Sequence, residues 1–136
     1  MATFTPSRFL RLALGADAVA SAALGLLCAA GAGPLSAVLG LPETLLRTAG
    51  LVLLPWAALV AFAATRPVLR SAHVWGIIAV NLVWTIDSIG LLFGAQVSPT
   101  SLGTAFVVVQ AVAVLALAEC EMIGLRQGRA ARTVAA

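Results

Sequence analysis

The sequence predicts an all-α protein: a transmembrane four-helix bundle, running up-down-up-down with both termini in the cytoplasm. Three observations predict it. Of the 136 residues, 62% are hydrophobic and only 10% charged, whereas a soluble domain of this size carries about a quarter charged residues. The apolar residues fall in four blocks separated by Pro, Gly or Arg, each close to the roughly twenty residues that cross a ~30 Å hydrocarbon layer. With spans at about 8–31, 43–65, 72–94 and 101–125, Arg8, Arg11, Arg66, Arg70, Arg126, Arg129 and Arg132 fall on one side and only Arg47 on the other. Cytoplasmic loops carry the excess of basic residues, so that side is read as the cytoplasm. A single transmembrane domain then accounts for residues 1–136.

The first segment opens on Arg8 and Arg11 and is longer than a signal-peptide core, with Asp17 interrupting it. It reads as an uncleaved helix. Asp17, Ser21, Leu24 and Cys28 share a stripe at helical spacing, with Gly25 at its edge, a face that lets a neighbouring helix approach. Residues 32–42, bounded by Pro34 and Pro42, are too short to span and read as an interfacial loop or brief helix. Pro42 followed by Glu43 opens the second segment, and Glu43 can pair with Arg47 one turn on. Pro55, beside Trp56, should kink this helix. Pro67 ends it, and the third segment follows to Gly94. The fourth begins near Ser101, and the basic tail from Arg126 to Ala136 is expected to fray.

The third segment carries the densest polar stretch: Asn81, Trp84, Thr85, Asp87 and Ser88. Polar groups at membrane depth are costly, so they pair within a bundle or line a polar path. Depth arithmetic puts Asp17 ~9 Å past Arg11, Asn81 ~16 Å past Arg70, Asp87 ~10 Å from Gly94 and Gln110 ~15 Å from Thr100. Asp87 thus belongs to the outer half, and Glu119 and Glu121 lie near the cytoplasmic end. On the helical wheel Asn81, Thr85 and Ser88 share one face, while Gly76, Val83, Asp87, Gly90 and Gly94 share another. The expectation is a helix gripped on two sides by its neighbours, rather than one compact site. Asp17, Asn81, Trp84, Asp87, Ser88 and Gln110 are the candidate intramembrane polar site. Gln110 and Glu121 share a face that excludes Glu119. Arg8 or Arg11 should meet Glu119 or Glu121 in a cytoplasmic-side charge clamp tying the first helix to the last.

Several chemistries find no residues to carry them. His73 is the sole histidine, too few for a metal site or, within one chain, a bis-histidine haem. Cys28 and Cys120 fall near opposite membrane faces, too far apart for a disulfide. No Ser–His–acid set matches in depth, and no phosphate loop is present. No cofactor, no catalytic residue and no nucleic-acid partner is expected; the net charge of +3 reflects arginines at the ends of spans.

Arg8-Phe-Leu-Arg-Leu-Ala-Leu-Gly-Ala-Asp17, Asn81-Leu-Val-Trp84, and Ala118-Glu119 before Gly124-Leu-Arg126 give the chain an organisation that resembles small bacterial four-helix integral membrane proteins, broadly DoxX-like. The resemblance covers nearly the whole chain. It implies a multi-pass protein of the bacterial inner membrane and an association with redox or thiol-stress systems, although this chain lacks their paired-cysteine motif. The favoured expectation is a non-enzymatic accessory or assembly subunit, partnered by the bilayer and by a larger membrane complex or further copies of itself. The rivals are a proton-linked or small-solute transporter using the intramembrane carboxylates, and a quinone- or lipid-binding protein with its site beside Trp84 and Trp56.

Overall fold

The computed structural model describes residues 2–134, without the side chain of Arg132. Among the described residues the regular structure is helical apart from a ribbon of two two-residue strands. The ribbon's first strand is β1 (Thr3–Phe4), followed by α1 (Arg8–Ala30), α2 (Ala32–Leu39) and α3 (Glu43–Thr65). Then come the second strand, β2 (Leu69–Arg70), α4 (Ser71–Phe93) and α5 (Ser101–Val134). Four of these helices are long and apolar enough to cross a membrane. The bounds of the first three spans match the sequence reading within a residue or so.

The remaining features have local causes. Residues 32–39 form a separate short helix, closed by Gly40 in the left-handed conformation at φ 66°. A side chain at Gly40 would also press on the Ser98 carbonyl at 2.7 Å, so this turn is built around glycine. The last helix does not fray at Arg126. It continues to Val134, with Gly128 against the Phe4 ring, where a Cβ would lie 2.9 Å away. Ala135 and Ala136 of the expected frayed tail lie outside the described residues. The ribbon was not anticipated: Thr3 pairs with Arg70 and Phe4 with Leu69, antiparallel. Helix α3 runs on through Pro55.

Helix starts and ends carry the polar chemistry the sequence offers. Ser7 caps α1 by accepting a bond from the Leu10 amide at 3.1 Å. Glu43 and Arg47 pair along α3 at 2.5 Å, both side chains about half exposed, a contact of small energetic weight. Thr100 donates its amide to Leu39 O and its hydroxyl to Val38 O, each at 2.9 Å, which ties the start of α5 to the end of α2.

Helices in lipid gain little from apolar burial alone; they associate through close packing and hydrogen bonds. The closest contact, α1 on α3, accordingly runs through Gly25 and Gly50. A Cβ on Gly50 would overlap the Ala29 backbone, and one on Gly25 would lie 3.1 Å from Gly50 O. Gly124 lets α5 cross α1 at Leu10. Helix α4 packs mainly on α5, while α3 and α4 scarcely approach one another. A core of Leu10, Leu14, Val60, Ile77, Ile78 and Leu125 joins the ends of all four long helices on the ribbon side. Above it, the space between α3 and α4 stays open.

Candidate functional site

The ribbon sets the depth of the site. It ties residues 3–4 to 69–70, so α1 and α4 start at one level. Asp17 lies nine residues beyond Arg8 and Asn81 ten beyond Ser71, which puts them about 14 and 15 Å along their helices. Equal depth lets their side chains meet: Asn81 Nδ2 donates to Asp17 Oδ2 at 2.9 Å. Ser21, one turn after Asp17 on α1, donates to Asp17 Oδ1 at 3.2 Å. The crossing at Gly124 turns Glu121 toward the same place, and Asn81 Nδ2 reaches Glu121 Oε2 at 3.3 Å. All four side chains are buried, Asp17 at 1% and Glu121 at 0% exposure. Glu121 Oε1 is buried with no hydrogen-bond partner.

A second polar pair lies further along α4. Trp84 Nε1 donates to Gln110 Oε1 at 2.8 Å, and Gln110 Nε2 donates to Val107 O at 3.1 Å. Thr85 returns its hydroxyl to Asn81 O at 2.9 Å.

Both polar layers open into the groove between α3 and α4. A cavity of about 210 Å³ has Asp17, Ser21 and Asn81 beside Trp56, Trp84 and Gln110, with aliphatic side chains making up the rest of its wall. Trp84 and Gln110 also line the adjoining cavity of about 320 Å³, which reaches Asp87 and Ser88. On the ribbon side, Trp56 and Val80 lead into a third of about 500 Å³ near Arg66 and His73. The groove therefore runs along most of the α3–α4 gap, apolar along its length and polar at its middle.

The predicted site residues divide among these layers. Asp17 and Asn81 meet directly, Trp84 and Gln110 bond one another one layer away, and Asp87 and Ser88 line the adjoining cavity. The expected grip on both faces of α4 is not found. Asn81 is buried, but Asp87 is exposed, and a Cβ on Gly76 or Gly90 would meet nothing within 4 Å.

The charge clamp is corrected outright. Arg11 donates instead to Ala64 O at 3.1 Å. That carbonyl belongs to the last turn of α3, where helix carbonyls lack partners and the helix dipole favours a cation. Arg8 and Glu119 are exposed, and among the described residues neither these two, nor Arg11, nor Glu121 forms an ion pair. Glu121 is not near a helix end either, because α5 continues thirteen residues past it.

Glu121 and Ser21 are thus the site residues that sequence reasoning assigned elsewhere. Both carried a signal, since Ser21 shares the Asp17 stripe and Glu121 shares a face with Gln110. Both cysteines are free. Among the described residues no three His, Cys, Asp or Glu side chains converge as a metal site would require. No family model, curated protein or solved structure matches the chain.

Proposed function

We propose that this chain is a non-enzymatic membrane protein that binds a lipid-soluble small molecule in the groove between α3 and α4. One observation carries the reading: an apolar groove, open along the side of the bundle, has its buried polar groups gathered at mid-span. Ligand sites are concave and mostly apolar, with a few placed polar groups that orient the ligand. An amphiphile entering from the bilayer would lay its apolar part along Trp56 and Trp84 and bring its polar end to Asp17, Ser21 and Asn81. Isoprenoid quinones and lipids belong to this class.

The setting is a multi-pass protein of a bacterial inner membrane, with the spans alternating in direction and both termini in the cytoplasm. The arginine distribution supports that orientation. The contacts of Phe4 with Leu69 and Gly128 at one end, and of Leu39 with Thr100 at the other, support the alternation.

The test is saturable quenching of tryptophan fluorescence by a neutral brominated ester, methyl dibromostearate, in a Trp75→Phe background that leaves Trp56 and Trp84. Ala113→Phe, which fills the groove wall without adding a tryptophan, should abolish the saturable component. Quenching that rises without saturation and ignores the filled groove would sink the binding reading.

One further observation favours an assembly role beside it. Asp87 is exposed on α4 and has no hydrogen bond or ion pair among the described residues. A carboxylate at membrane depth calls for a partner, which a second chain or a larger complex would supply. Mass measurement of the protein in mild detergent, with Asp87→Asn as control, tests this: a monomer without partners in both removes the assembly role.

A further inference from the structure

The floor of the groove carries a carboxyl group, that of Asp17, held by neutral donors. Asn81 divides its amide between Asp17 and Glu121, and Ser21 gives Asp17 one more donor. Glu121 stands behind Asn81, off the cavity wall. Among the described residues no arginine pairs with Asp17: Arg11 is committed to Ala64 O, and Arg8 is exposed. A buried carboxylate without a positive partner is costly, so the Asp17 end of the cavity is complementary to positive charge. The groove beside it adds two indoles, Trp56 and Trp84, lining the same cavity as Asp17. Indole faces attract organic cations, most strongly where water is excluded. Apart from Gln110, the remaining wall is aliphatic.

We propose that the groove's ligand is a lipophilic organic cation, an ammonium or phosphonium centre bearing apolar substituents, held with its charge beside Asp17 and its apolar groups between Trp56 and Trp84. The proposal rests on the groove being a ligand site. Asp17 makes the direct contact. Glu121, which does not line the cavity, acts through Asn81, whose amide it shares with Asp17.

Tetraphenylphosphonium and tetraphenylborate, nearly alike in shape and opposite in charge, are the probes, with equilibrium dialysis against the full chain in detergent as the measurement. The phosphonium should bind at least tenfold tighter than the borate, and Asp17→Asn should remove at least tenfold of that affinity. Trp56→Leu should weaken it by roughly 2- to 30-fold, the range of a cation–indole contact. Glu121→Gln serves where Asp17→Asn does not yield a monodisperse protein, and should lower phosphonium affinity while leaving saturable quenching by methyl dibromostearate in place. Equal binding of both probes, or phosphonium binding indifferent to Asp17→Asn and Glu121→Gln, overturns the cationic ligand. Failure of both probes while the neutral ester still quenches saturably overturns it too, with the groove reading intact. Loss of the ester's saturable quenching as well removes the groove reading itself.

Discussion

Replacing Asn81 by Leu tests the centre of the bundle most directly. The substitution keeps roughly the same side-chain size but removes the amide that bonds Asp17 at 2.9 Å and Glu121 at 3.3 Å. Two bonds at the average found between membrane helices, about 0.6 kcal/mol each, set a floor of about 1.2 kcal/mol. The ceiling comes from the acceptors left behind, at about 1–3 kcal/mol for each buried group without a partner. Asp17 keeps its bond from Ser21 at 3.2 Å, so its share lies at the low end. Glu121 has no other donor among the described residues, so its share lies higher. The expected loss is about 2–4 kcal/mol. It is measurable by reversible unfolding in mixed detergent–lipid micelles, with a double-mutant cycle against Glu121→Gln. Coupling in that cycle should exceed about 0.5 kcal/mol, as it does for residues in one hydrogen-bond network. A loss below that value, with no coupling, would mean that Asn81 does not join α1, α4 and α5, and the description of the site would fall with it.

Further outcomes follow from the packing and the helix ends. Gly50→Val places a side chain where the Ala29 backbone lies; it should cost at least about 1–3 kcal/mol in the same assay, whereas Gly90→Val, into open space, should change stability little. Arg11→Gln removes the side-chain bond to Ala64 O and should cost about 0.5–2 kcal/mol, without altering the fluorescence of Trp84. A reporter fused after Ala136 should be active only when it requires the cytoplasm; activity outside would reverse the orientation and the depth assignments built on it.

Span number and bounds were legible because both rest on length and composition, which the bilayer constrains strongly. The tail was less legible. Arg126, Arg129 and Arg132 look like the end of a helix on hydropathy, yet α5 passes through all three to Val134. An end defined by where apolarity stops is where the membrane stops, and a helix whose glycine packs against Phe4 has reason to continue. The same error displaced Glu121. Measured from its nearest arginine it looked terminal; measured from Asp17 and Asn81 it belongs to the middle layer.

The clamp failed for a related reason. Opposite charges at matching depth were paired by sign, but Arg11 had a nearer acceptor in the unpaired carbonyls at the end of α3. Backbone acceptors do not show in a count of charged side chains. The groove was the least legible feature, and glycine shows why. Gly25 and Gly50 zip α1 to α3, while Gly76 and Gly90 on α4 face open space. A small residue permits close approach without requiring it, so the same pattern reads identically on a packed face and on the wall of a groove. What separates them is the partner surface. Helix α1 meets α3 glycine against glycine, whereas opposite α4 the α3 surface offers Trp56, too large to let the backbones close. With α1 held to α3 on one side and α4 held to α5 on the other, the gap between α3 and α4 cannot close without breaking one of those contacts. The bundle's packing thus leaves Asp17, Ser21 and Asn81 at the bottom of an opening.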